Sequence, residues 1–147
     1  MSKRTNILLA LRALAADALP AARVIGLDGD EDVPQKIHTG GLVIVRSGDP
    51  GDPQVDLSPP AWHWDHRIPM QFFIEKAEGQ TREEALGDMI ATFGAAIALD
   101  PTLGGQCDWA EPGAPLTEDL YTDGAGRPPR GGDLVVSATY TTTSPLG

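Results

Sequence analysis

Polar and apolar positions along this chain change period several times, and each change marks an element. Residues 6–19 put Ile7, Leu11, Leu14 and Ala18 on one stripe, with Leu8, Ala15 and Leu19 beside it. That spacing predicts an amphipathic helix. Thr5 or Asn6 is placed to cap it, and Pro20 helps to stop it. Arg23 to Leu27 predicts a short strand. Gly41 to Arg46 (GLVIVR) is a continuous apolar run rich in β-branched residues, the pattern of a strand covered on both faces. Trp62 to Lys76 alternates instead. Trp62, Trp64, His66, Ile68, Met70, Phe72 and Ile74 share one face; His63, Asp65, Arg67, Gln71 and Glu75 share the other. This predicts a long, half-buried antiparallel strand. Pro69 falls on the polar parity and lacks an N–H, which predicts a bulge or an edge position.

A second helix begins at a capping box, Thr81-x-x-Glu84. Leu86, Met89, Ile90, Phe93 and Ile97 recur at helical spacing, and Asp100-Pro101 ends the run. Gly87 and Gly94 lie inside it. Each costs about 1 kcal/mol against alanine, so close packing is expected there. TLGGQCDWAEP then turns into a short strand, and Leu134 to Thr143 predicts the last strand.

Two stretches carry no period. Residues 47–60 (SGDPGDPQVDLSPP) repeat Gly-Asp-Pro, which blocks helix and removes sheet donors. They read as a long, stiff excursion of the kind a β-hairpin arm makes. Residues 112–133 are a second Gly/Pro-rich excursion, with Arg127 and Arg130 inside GAGRPPRGG. No internal repeat or dividing linker is present. The expected fold is one α+β domain over residues 1–147. It has a mostly antiparallel sheet of about four strands, two helices on one face and two long loops.

Composition narrows the function. The chain has 147 residues, 41% of them hydrophobic, and 21 acids against 11 bases give a net charge of -10. That balance disfavours gripping DNA phosphates or an anionic membrane, since both need excess Lys and Arg. The first 27 residues are locally basic, with Lys3, Arg4, Arg12 and Arg23 against Asp17. The apolar run after Lys3-Arg4 is broken by Arg12 before it makes a signal-peptide core. A soluble chain made in the host cytoplasm is expected, and one cysteine excludes an intrachain disulfide framework.

Candidate chemistry is thin. His63 and His66 point to opposite faces of a strand, leaving only His63 and Asp65 together, with His38 remote in sequence; a metal site is not expected. Asp28-x-Asp30-x-Asp32 opens like an EF-hand loop, but Val33 and Thr39 stand where Gly and Glu are needed. GAGRPPRGG lacks the GK[ST] ending of a phosphate loop. Cys107 has no nucleophile signature around it and reads as a small buried residue. No G-x-S-x-G elbow occurs. No catalytic residue, cofactor or metal is expected, and the chain is read as a non-enzyme.

Three stretches carry a resemblance: GDPGDPQVDLSPPAWHWDHR (48–67), TREEALGDMIATFGAAIALDPTLGGQCDW (81–109) and GDLVVSATYTT (132–142). Their order and spacing resemble the tail terminator proteins of long-tailed phages, prophages and phage-like gene transfer agents. The resemblance runs from the first helix to the last strand, and DPTLGGQCDW after an amphipathic helix is its most specific piece. It implies a homo-hexameric ring on the head-proximal end of the tail tube. Such a ring stops tube polymerisation, contacts the tail tube protein and the neck (head-completion) protein, and passes DNA through its lumen. It further implies location in the virion at the tail–neck junction. Carboxylates lining the lumen would keep DNA from sticking. The interface candidates are the arm residues Asp49, Pro50, Asp52, Pro53, Val55 and Asp56, with Arg127 and Arg130 of the second excursion. Trp62 and Trp64 are expected in the core or a subunit seam. Deleting 48–56 is expected to leave a folded subunit. The alternatives are another head–tail connector or tail-completion subunit, and a small cytosolic α+β enzyme acting on an acyl or nucleotide substrate.

Overall fold

The structure, a computed structural model, describes residues 2–27, 37, 39–75, 79–119 and 130–146. The element order is α1 (Lys3–Ala18), β1 (Arg23–Ile25), β2 (Leu42–Val45), β3 (Gln54–Leu57), β4 (Pro60–Ile74), α2 (Arg82–Leu99), β5 (Trp109–Pro112), β6 (Leu116–Asp119) and β7 (Arg130–Thr142). This is an α+β fold. Among the described residues seven strands lie in one sheet, ordered β1-β2-β4-β7-β5, with β3 also on β4 and β6 also on β7, and of their pairings only β1–β2 is parallel. Among the described residues no helix is long and apolar enough to cross a membrane.

Two long strands form the spine. Trp62 to Ile74 of β4 pair antiparallel with Thr142 to Arg130 of β7. Side chains alternate across a strand, so the even-numbered positions of both point to one face. Ile68, Met70, Phe72, Leu134, Val136, Ala138 and Tyr140 on that face are buried. They meet Ile7, Leu8, Leu11 and Ala15 of α1 and Leu86, Met89, Phe93 and Ile97 of α2 in one core. Both helices therefore cover the same face, as the sequence predicts. The rings of Phe72 and Phe93 pack 5.5 Å apart, tilted at 54°, within the centroid range of favourable aromatic pairs. β2 is buried throughout: Val43 and Val45 join the main core, and Leu42 and Ile44 form a second cluster with Ile37 and Phe73.

Among the described residues there are seven strands where about four were expected. Two of the additional ones, β3 and β6, arise because single-residue insertions split two longer runs. From Val45↔Met70 to Asp49↔Arg67, four steps on the arm face three on β4. From there to Gln54↔His63, five face four. The stretch 42–57 thus follows β4 all along its length, with two bulges. Gly48 makes the first one: its φ is +70° and a Cβ there would sit 2.0 Å from the Arg67 carbonyl oxygen. Pro69 lies opposite this slip and needs no N–H, so the bulge reading of Pro69 holds. β5 and β6 are likewise one interrupted strand on β7, offset by one residue between Pro112↔Val136 and Leu116↔Asp133. Both stretches read as loops therefore carry strand, and β7 starts at Arg130 rather than Leu134.

Two local expectations change. Helix α1 starts a turn earlier than predicted, because Ser2 is the cap: its hydroxyl accepts from the Thr5 amide at 3.1 Å. The Thr81–Glu84 capping box forms in both directions. Yet Gly87 and Gly94 are not packing sites, since a Cβ at either meets nothing within 4 Å. Gly87→Ala and Gly94→Ala should each add about 1 kcal/mol to stability in urea unfolding, where a close contact would give a loss.

Candidate assembly surface

The arm is a two-stranded ribbon. β3 pairs only with the first residues of β4, through Gln54↔His63 to Leu57↔Pro60. Every residue of β3 is exposed, with Val55 at 45% and Leu57 at 85%. A ribbon with both faces in water is marginal on its own, so its root matters. There His63 joins three strands. Its Nε2 lies 2.8 Å from Asp56 Oδ2 and its Nδ1 2.9 Å from Thr141 Oγ1. On the other face Trp64 stacks on Tyr140, ring centroids 6.5 Å apart, and donates its indole N–H to Thr142 Oγ1 at 2.9 Å. Trp62 and Trp64 are half-buried at this root.

One step along, His66 is fully buried. The Ser47 carbonyl, just before the arm, can only accept, so His66 Nε2 donates to it at 2.6 Å. Nδ1 then faces the Tyr140 hydroxyl at 3.4 Å as an acceptor. Burial pushes the His66 pKa down, with Arg4 adding to the effect and the Ser47 bond and Asp49 opposing it. The unfolded chain therefore takes up this proton first as pH falls. The stabilisation is whole above the ordinary value near 6.5 and is lost as pH drops through the lower folded value. Between pH 7.5 and 5.5 the urea midpoint should fall more for the native chain than for His66→Gln, which carries no such proton. Equal slopes would contradict the account.

The sheet face away from the helices is charged. Register places Asp49 and Arg67 of one row beside Ser137 and Glu111, Asp65 beside Thr139 and Trp109, and Gln71 beside Asp133 and Leu116. Asp49, Asp65, Glu111 and Asp133 are all exposed, against Arg67 in their midst. Trp109 is 52% exposed on the same face. Of these acids, sequence reading singled out only Asp49 as an interface residue; strand parity marked Asp65 as outward, but only the pairing gathers the set.

The predicted residues separate into two ends. Asp49 exchanges backbone bonds with Arg67 at 3.0 and 2.9 Å, and its Oδ1 caps the Gly51 amide at 2.8 Å. Pro50 and Pro53 are half-buried, Asp52 and Asp56 exposed. These six share the arm with Val55. Arg130 stands at the opposite end of the spine, across from Ile74, where it ion-pairs with Glu83 of α2. Its role there is to tie β7 to the helix layer, and the structure does not bring it to the arm. Arg127, His38 and the Asp28–Asp32 turn lie outside the described residues.

Thr141, His63 and Asp56 form a hydroxyl–imidazole–carboxylate chain, but on an open ladder with His63 and Asp56 side chains 44% and 69% exposed. His63 and Thr141 also line a groove of about 320 Å³ with Asp52, Gln54, Asp65 and Asp108, and the three-residue chain staples the ribbon. Cys107 is buried, with its pKa pushed up to about 11 by burial and then by Asp108 and Asp100; its thiol stays protonated, the opposite of an activated nucleophile. Among the described residues, no group of three or more His, Cys, Asp or Glu could hold a metal ion.

Fold and surface together define an α+β domain with one helix-covered face, an acidic and exposed region on the other face over β4, β5 and β7, and a projecting ribbon. No protein-family model matches the chain, and no curated protein matches it.

Proposed function

We propose that this chain is a structural subunit of a phage-like tail. In this reading it is a terminator that forms a six-membered ring on the head-proximal end of the tail tube, halts tube growth and joins the tail to the neck. The observation that carries the reading is the ribbon 54–61. It is stiffened by proline, rooted by His63 and Trp64, and exposed on both faces, an expense of order that suits a contact with another subunit. The protonated, buried Cys107 and the exposed His63–Asp56 pair are in keeping with binding rather than catalysis. Another connector subunit of the same particle would use the same surfaces and would differ by its position.

The open acidic face is the surface we assign to the lumen. Carboxylates there repel DNA phosphates at short range, and salt screens that repulsion beyond about 10 Å. DNA then slides without being held. Replacing Asp65, Glu111 and Asp133 by their amides should leave particles intact and slow DNA ejection several-fold, with the largest effect at low salt. Ejection at native speed from the triple variant would remove the lumen assignment.

A further inference from the structure

We infer that His66 is an acid-sensitive latch at the base of the arm. Neutral, it pins residues 47–53 onto β4; protonated, it releases that segment while the core stays folded. The latch is a property of the single chain and stands independently of the ring reading.

The imidazole joins three elements. It stands on the helix-covered face of β4, fully buried. Its Nε2 donates to the Ser47 carbonyl of the arm at 2.6 Å. Its Nδ1 accepts from the Tyr140 hydroxyl of β7 at 3.4 Å, and the two rings lie 6.2 Å apart. Only the neutral ring suits both partners as they stand. A proton on Nδ1 makes both ring nitrogens donors. The Tyr140 hydroxyl must then turn to accept, and its own proton loses its acceptor. The surrounding charges do not make up for this. Burial disfavours the imidazolium most, and Arg4 of α1 repels it; the Ser47 bond and Asp49 of the arm favour it without reversing the balance. Burial also raises the Tyr140 pKa against the pull of Arg4, so no phenolate forms to balance the charge.

The cost is relieved where the structure yields most easily. β4 pairs with β7 from Trp62 to Ile74, so the backbone of His66 is held fast. The arm segment is held less. Between β2 and β3, and among the described residues, it pairs with β4 at one isolated bridge, Asp49↔Arg67. It turns at Gly48 and Gly51, whose φ values are +70° and +68°. Pivoting at these glycines lifts the Ser47 carbonyl away and lets water reach the ring, where an imidazolium is solvated at little cost. β2 and β3 keep their own pairing with β4 at either end.

The test is amide hydrogen exchange on the full chain at pH 7.5 and 5.5, with the intrinsic pH dependence of exchange divided out. The Asp49 and Arg67 amides bond across the bridge at 3.0 and 2.9 Å and report the latch. Opening returns His66 to its ordinary value near 6.5. The opening constant should therefore rise several-fold in acid, with about tenfold as its ceiling at pH 5.5. Low urea separates local from global opening. The arm opening exposes little surface and should not respond to it, whereas amides bonded between β4 and β7 exchange by unfolding and should. His66→Gln, which can still donate to Ser47 and does not titrate, should lose the rise; His63→Gln, on the exposed ribbon, should keep it. If His66→Gln does not fold, the native chain and His63→Gln decide between them. Bridge amides that exchange at the rate and urea dependence of the β4–β7 amides would overturn the latch. So would a rise that is absent, that survives in His66→Gln, or that His63→Gln abolishes.

Discussion

A subunit whose ribbon is shortened at both strands together should fold normally and fail to assemble. Removing Asp56, Leu57, Pro60 and Ala61 deletes two facing pairs, Asp56↔Ala61 and Leu57↔Pro60, and leaves the turn Ser58-Pro59 between Val55 and Trp62. None of the four pairs with β7, whose ladder to β4 begins at Trp62↔Thr142. The register of the spine is therefore untouched. The loss to the fold is small: exposed ribbon contacts and the Asp56–His63 bond, a surface interaction worth at most about 1 kcal/mol. The loss to assembly is complete if the tip carries the contact, because a ring needs every interface. Circular dichroism and unfolding should match the native chain, while rings disappear and tails lose their uniform length. Normal tails would refute the ribbon's role. Deleting 48–56, the choice the sequence suggested, is a poorer test. It removes both bulges and the strand that follows β4, so misfolding would follow from lost pairing.

The largest effect on the fold itself is expected at Phe72. Its side chain is fully buried, stands between Val43 and Gly132 in the sheet and meets Phe93 of α2. Phe72→Ala removes that contact and leaves a cavity between sheet and helix. Such truncations cost about 3–5 kcal/mol, against a total stability of about 5–15 kcal/mol for a domain. Urea unfolding should show the loss directly. Phe72→Leu, which retains most of the volume, should cost clearly less. Equal losses would mean that the ring contact, and not the filled volume, matters at this place.

What the sequence made legible follows from the range of each interaction. The faces of β4 are set by alternation over fifteen residues, and the burial of Ile68, Met70 and Phe72 against exposed Asp65 and Arg67 follows it. The Thr81–Glu84 box is local, and it forms as read. The hairpin of the arm was expected and forms between β3 and β4, but the bulged run from β2 along β4 was not legible, because Gly48 and the Gly-Asp-Pro repeat interrupt it. The same holds for β6, whose four residues show no alternation and are ordered by β7. The ion pair of Arg130 with Glu83 was not legible, because it joins residues far apart in sequence. The acidic face needed the register of β4, β5 and β7 at once; parity in one strand gives Asp65 alone.

These points turn on one claim, that the chain works as a ring at the end of a tail tube. A cryo-electron microscopy map of the head-proximal tail end, from particles made with this chain, tests it most directly. The account predicts six copies in one closed ring between tube and neck, with Asp65, Glu111 and Asp133 toward the channel. A tail end without this subunit, or the subunit bound elsewhere in the particle, would contradict it.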